Sequence, residues 1–346
     1  MCEQIESNHE GVPGSSSVDY GALLHESQHE QSETEAPSPE RQGLNRESLS
    51  VTYLNTSFSG ALEHPEGLDS LLLHDERPRE NAVFGFSEVI HAQRPAVRAA
   101  LEARGYQVVE PPEDSHLDLI WAVGPGLEIE GSDAHHFPRT GLRRMASRMG
   151  SKGYRHVGVQ DLTVATPQGN KVRLGHERLS SWIVEPVRRM QLRDMGQVLQ
   201  EQFPPDDDVM LTVNGGDMNH IKPFRWPDDK IWSGLKEEGW EPVLESGTPT
   251  HYSGDKYKRS GKVFRALGRR SEETQLDAVY ARPRSGVALV NVEASPDTEL
   301  APNQIGYSTR TIKVEGTDHY AVETTYSLPI QQRFDVAGGE HTNTLA

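Results

Sequence analysis

From about residue 48 to residue 331 the chain alternates short apolar runs, rich in Val, Ile, Tyr and Phe, with helix-forming stretches. Gly, Pro or Asn stand at many of the junctions. Such alternation predicts one α/β domain, because each sheet face must be covered by helices or by a second sheet. The expected strands are Ser50–Leu54, Val83–Phe86, Tyr106–Val109, Leu117–Val123, Arg155–Ala165, Lys171–His176, Val209–Val213, Leu276–Ala281, Val287–Val292 and Tyr320–Val322. Pro95 suits the first turn of a helix that Gly105 stops. A second helix is expected over Val187–Gln202, with Leu192, Met195 and Leu199 on one face. Gln168-Gly169-Asn170 fits a hairpin turn between two of the strands, and Pro223–Arg270 reads as loop-rich.

Residues 1–47 are rich in Glu, Ser, Gln and His without apolar period, and residues 332–346 are similar, so both read as disordered tails. Cys2 is the one cysteine, which excludes an internal disulfide and fits a reducing compartment. The chain has no apolar run of the roughly 18 residues that a membrane helix needs. Its start has neither the basic end nor the apolar stretch of a secretory signal, so the expected location is cytoplasmic. Acidic residues outnumber basic ones 52 to 35, a formal charge of -17. That charge repels phosphate backbones unless basic residues gather locally. Such a gathering exists: Lys256, Lys258, Arg259, Lys262, Arg265, Arg269 and Arg270, interleaved with Tyr257 and Phe264. It is either a solvated loop or a grip for nucleic acid, since basic side chains hold phosphates and aromatics stack on bases.

Polar residues recur where buried strands end. Gly215-Gly216-Asp217-Met218-Asn219 follows Val209–Val213, so a carboxylate and an amide two residues apart can point the same way. Asp is a hard oxygen ligand for Mg²⁺ and Asn can hold a phosphate oxygen or a water; alternatively the segment is an Asx turn. Thr317-Asp318-His319 precedes the last strand. Asn55 ends the first strand, Glu88 follows the second, and Asp277 sits in Gln275-Leu276-Asp277-Ala278-Val279. Polar groups at buried strand ends are costly unless they pair or bind something, so this many suggests a shared cleft. His135-His136 reads as an exposed loop pair or, alternatively, as metal ligands.

In order, these motifs resemble those of the endonuclease/exonuclease/phosphatase family, a metal-dependent group that includes deoxyribonuclease I. The resemblance covers about residues 49–323. It rests on Ser50–Asn55, Phe86-Ser87-Glu88-Val89, Lys171–His176, Gly216-Asp217-Met218-Asn219, Thr248-Pro249-Thr250, Leu276-Asp277 and Thr317-Asp318-His319. It implies a four-layer α/β sandwich, two mixed β-sheets face to face flanked by helices. It also implies a Mg²⁺ or Mn²⁺ ion on Glu88, helped by Asn55 and Asp318. His319 would be the general base, oriented by Asp277; Asp217 would position the nucleophile, and Asn219 and His176 would contact the phosphate. Ser87 departs from the family's usual Gln. The expected function is metal-dependent phosphoester hydrolysis, nuclease-like or directed at a small-molecule or lipid phosphate. A catalytically silent binding protein on the same fold is the reading of a different class.

Overall fold

The structure, a computed structural model, describes residues 46–56, 65–137, 157–179, 185–218, 234–245, 248–252, 273–274, 277–293 and 299–330. Both expected tails, Asn219 and the basic stretch 256–270 therefore lie outside the described residues, apart from Arg46 and Glu47.

The strands, in chain order, are β1 (Arg46–Asn55), β2 (Leu73–His74), β3 (Arg77–Pro78), β4 (Ala82–Ser87), β5 (Gln107–Val109), β6 (Leu119–Val123), β7 (Glu128–His136), β8 (Gly158–Ala165) and β9 (Lys171–Arg178). There follow β10 (Val209–Asp217), β11 (Glu241–Pro242), β12 (His251–Tyr252), β13 (Glu273–Thr274), β14 (Asp277–Pro283), β15 (Ala288–Asn291), β16 (Gln304–Lys313) and β17 (Tyr320–Pro329). The α-helices are α1 (Pro65–Leu72), α2 (Arg94–Glu102) and α3 (Glu185–Gln202).

Two sheets carry the fold. The first runs β15-β16-β17-β1-β4-β6-β5 and the second β11-β14-β10-β9-β8-β7. Both are mixed: β1 lies parallel to β4 and antiparallel to β17, and β10 lies parallel to β9 and antiparallel to β14. Alternation along each strand sends one set of side chains between the sheets, where Leu49, Val51, Trp121, Leu174, Val213 and Val322 form a common core. The outer face of the first sheet, through Phe84 and Phe86, packs with Leu68 and Leu72 of α1 and Val97 and Leu101 of α2. Leu192, Met195 and Leu199 of α3 cover Val159 and Tyr280 on the outer face of the second. The result is the expected four-layer sandwich.

Close approach of the sheets depends on two glycines. A Cβ on Gly85 would come within 2.9 Å of His176 Nδ1, and one on Gly215 within 2.7 Å of the Tyr53 ring. The Tyr53 hydroxyl crosses the core to donate to the Gly175 carbonyl at 3.1 Å. At one end of the sandwich, Glu47 accepts hydrogen bonds from Thr166 and Asn170 of the β8–β9 turn, tying the first sheet to the second.

Several strands outrun their expected limits. β1 starts at Arg46 and β10 continues through Asp217, so Gly215-Gly216-Asp217 is strand and not a closing turn. β9 passes His176 to end at Arg178. β16 escaped notice because Gln304–Lys313 is largely polar and only partly buried. His135-His136 lies half-buried in the edge strand β7, not in a loop; His135 sits 3.4 Å from Asp161.

Next to His176, on the opposite face of β9, Glu177 is fully buried. Burial pushes its carboxyl up from 4.5 to about 8, and the Asn214 amide offsets only part of that rise. Between those values the folded chain binds the additional proton, so stability falls as pH rises from about 4.5 to about 8. Glu177→Gln keeps the shape and cannot ionise. Thermal melting between about pH 6 and pH 9 is expected to show the variant gaining about 3 kcal/mol on the wild type. Parallel pH profiles for the two proteins would contradict the burial of an ionisable Glu177.

Candidate functional site

The C-terminal ends of β1, β4, β9 and β10 meet the N-terminal ends of β6, β14 and β17 at one edge of the sandwich. Each delivers a polar side chain there. Asn55, the last residue of β1, donates from Nδ2 to Asp217 Oδ2 at 2.7 Å across the gap between the sheets. Asp217 stands opposite Asp277 in the β10–β14 register. His319, just before β17, places Nδ1 3.1 Å from Asp277 Oδ2, again from one sheet to the other. All four are at least 95% buried, so each contact replaces water rather than adding to it.

Two threonines set this geometry. Thr317 Oγ1 donates to the Asn55 carbonyl at 2.7 Å and accepts from the His319 amide at 3.1 Å. Thr250 Oγ1 accepts from the Asp277 amide at 2.9 Å, while its carbonyl accepts from the Tyr320 amide at 2.8 Å. Thr250 therefore locks β14 to β17 beside the His–Asp pair, which gives the expected Pro-Thr element a structural task.

A third link involves residues the sequence reading passed over. Arg178 ends β9 and donates from Nη2 to Glu88 Oε1 and from Nη1 to Asp118 Oδ2, both at 2.8 Å. Asp118 precedes β6, and its carbonyl accepts from the Val89 amide at 3.2 Å. Glu88 adopts a left-handed backbone with φ of 63°. A non-glycine residue there carries strain of about 1–2 kcal/mol, and such strain tends to collect at functional sites. Asp118 was detectable by the reasoning that found Asp217, an acidic residue at the end of a buried strand. Arg178 was hidden because the strand appeared to stop at His176.

His176 is not brought to this edge. Alternation turns it inward two residues too early. Its ring is fully buried, 5.6 Å from Tyr53 and 5.2 Å from Trp121, and neither ring nitrogen has a hydrogen-bond partner among the described residues. Burial lowers its pKa to about 3, so it stays neutral. Arg178, on the same face of β9, stands where the resemblance put a phosphate-facing histidine. Asp318 is half-buried between Thr317 and His319.

Burial alone would lower the His319 pKa, but the charge and hydrogen bond of Asp277, with Asp217 and Asp318 behind, outweigh it and hold the pKa up to about 10. The imidazolium is thus the counter-ion of a carboxylate cluster.

Whether the edge suits a metal follows from its donors. Among the described residues no three His, Cys, Asp or Glu side chains converge to enclose an ion. A closed site of the zinc kind is therefore not built from them. Mg²⁺ asks for less: one or two carboxylates, with waters and substrate phosphate completing the shell. Glu88, which follows the Ser87 that pairs with Asn55, is a carboxylate of the type such a site would use, and here it is paired with Arg178.

No protein-family model matches the chain, and no curated protein does. Solved structures match. A humanised D. rerio TDP2 carrying 14 mutations superposes over 81% of this chain and 98% of its own, with a TM-score of 0.51 and 16% identity. An endonuclease/exonuclease/phosphatase from Beutenbergia cavernae DSM 12333 covers 82% of this chain and 72% of its own, with a TM-score of 0.50 and 13% identity. The chain has the endonuclease/exonuclease/phosphatase fold. The edge that gathers Asn55, Glu88, Asp217, Asp277 and His319 is the chain's candidate functional site on the strength of its own geometry. No helix among the described residues is long and apolar enough to cross a membrane.

The charge of His319 is directly measurable. Its imidazole NMR signals are expected to stay those of the protonated ring beyond about pH 8, and Asp277→Asn should bring the titration down towards 6.5. A wild-type ring that already titrates near 6.5 would mean that the carboxylates do not act on it as placed.

Proposed function

We propose that the protein is a divalent-metal-dependent phosphoesterase. The observation that supports this best is the convergence of Asn55–Asp217, His319–Asp277 and Arg178–Glu88 at one edge of the two sheets. Core packing alone does not call for three buried polar links at the same edge, whereas hydrolysis of a charged ester needs an acid–base group, an orienting group and cationic stabilisation together.

His319, once a bound cation offsets the carboxylates that keep it protonated in the free protein, would be neutral and would take a proton from the attacking water. Asp277 would fix the ring through Nδ1 and stabilise the imidazolium that results, the logic of an oriented general base. Asp217, steadied by the Asn55 amide, would orient the nucleophilic water. Asn219, two residues on, is assigned a phosphate oxygen from the motif alone. Glu88, with Asn55 and Asp318, would hold Mg²⁺ or Mn²⁺. A bound ion would supply polarisation of a phosphoryl oxygen and stabilisation of the leaving oxygen. His176 has no part in these steps; its neutral buried ring serves the core.

Endonucleases, exonucleases and phosphatases all cleave phosphate esters, so the structural relative of that name leaves the substrate class to this chain's own features. The basic stretch Lys256–Arg270 favours a nucleic-acid or other polyanionic phosphodiester over a small uncharged ester. Cytoplasmic location remains part of this reading. One observation favours the silent binding protein instead: Glu88 is already paired with a cation, Arg178.

Hydrolysis of bis-p-nitrophenyl phosphate, single- and double-stranded DNA, RNA, sphingomyelin and inositol phosphates separates the readings. Turnover is expected with Mg²⁺ or Mn²⁺, to vanish with EDTA, and to fall by about 100-fold or more in His319→Ala and in Glu88→Ala. Phosphate-ester binding without turnover by the folded protein would favour the binding protein.

A further inference from the structure

Arg178 joins the two sheets at the point where the metal reading most needs an open carboxylate. Arg178 is 7% exposed, and its guanidinium reaches Glu88 and Asp118 at 2.8 Å each, a geometry in which every charge has an opposite charge beside it. Glu88 is held in its left-handed backbone from both sides, by Arg178 on its carboxylate and by the Val89–Asp118 hydrogen bond that follows it. A divalent cation seated on Glu88 would lie within a few ångströms of the guanidinium. Like charges at that distance in a partly dry site exclude one another strongly.

We propose that Arg178 is a positioning residue that competes with the divalent cation for Glu88, so that the free protein binds metal weakly and a phosphate group strengthens the binding by drawing the guanidinium onto itself. Arginine suits both roles, because its planar fork pairs with carboxylate and with phosphate in the same way. Asp118 then has a function of its own: it keeps one arm of Arg178 anchored while the other exchanges Glu88 for a phosphate oxygen. The two ligands are coupled through one side chain with two partners, which is how binding of one strengthens the other. This inference rests on the proposed metal site at Glu88, but not on turnover.

Calorimetric and electron paramagnetic titrations with Mn²⁺ alone, and with Mn²⁺ in the presence of inorganic phosphate, test it on the full chain. Arg178→Gln is expected to bind Mn²⁺ more tightly than wild type, within the roughly 5- to 150-fold range of ordinary coupling. Arg178→Lys, which keeps the charge, is expected to stay near wild type. Adding Glu88→Gln to Arg178→Gln should abolish the gain, which places the ion on Glu88. Inorganic phosphate should tighten Mn²⁺ binding to wild type and not to Arg178→Gln. Equal or weaker Mn²⁺ binding by a folded Arg178→Gln would overturn the proposal and leave Arg178 a structural clamp. A second readout needs no variant: the side-chain ¹⁵N signals of Arg178 should shift as Mg²⁺ saturates the wild type, and unchanged signals would equally overturn it. Should the Mn²⁺ results hold while no phosphate ester is turned over, the competition at Glu88 stands and the phosphoesterase reading fails.

Discussion

A charged side chain withdrawn from water must find an opposite charge or a full set of hydrogen bonds, and at this edge of the molecule the partners lie on the opposite sheet. Asn55 reaches Asp217, His319 reaches Asp277, and Arg178 reaches Glu88 and Asp118, each across the gap that the apolar core fills further in. Breaking one partner of such a pair strands the other in a poorly solvated place, at a cost of about 3–5 kcal/mol. The pairs therefore fix how the two sheets meet at this edge, while Glu47 with Thr166 and Asn170 makes a further tie between them. Hydrophobic packing between Trp121, Leu174, Val213 and their neighbours is non-directional and would tolerate small slips. The polar edge does not.

The same constraint explains why polar strand ends were informative in the sequence. Asn55, Glu88, Asp217, Asp277 and His319 each stood beside an apolar run, and alternation allowed their side chains to face inward together. Residues that depend on where a strand stops were harder to read. β9 continues two residues beyond His176, which exchanges an inward histidine for Arg178 at the edge. β10 continues through two glycines, which weak strand propensity argued against. Their surroundings explain them: Tyr53 of the opposite sheet occupies the space a side chain at Gly215 would fill, and a Cβ on Gly216 would run into the Glu177 carbonyl of β9. β7 and β16, largely polar and partly exposed, carried only a weak apolar signal. The threonines Thr250 and Thr317 act through backbone groups of residues far along the chain, and local pattern carries no trace of such contacts.

Charge at the edge is distributed unevenly. Three carboxylates keep His319 protonated in the free protein, and two share Arg178. His176, only two residues from Arg178, stays neutral in an aromatic cage. One strand thus carries an inert histidine in the core and a buried cation at the mouth, separated by a single alternation step. A site that hydrolyses phosphate esters would use that separation: cations face the anion, and the core remains dry.

The claim on which the rest depends is that side chains from the two sheets act as one unit. The most direct test compares kcat/KM for bis-p-nitrophenyl phosphate in the wild type, Asp277→Asn, His319→Gln and the double variant. If Asp277 works through His319, the double variant is no slower than His319→Gln alone, because groups that act together are lost together. Losses that multiply in the double variant, or full activity in either single one, would contradict a catalytic unit spanning both sheets.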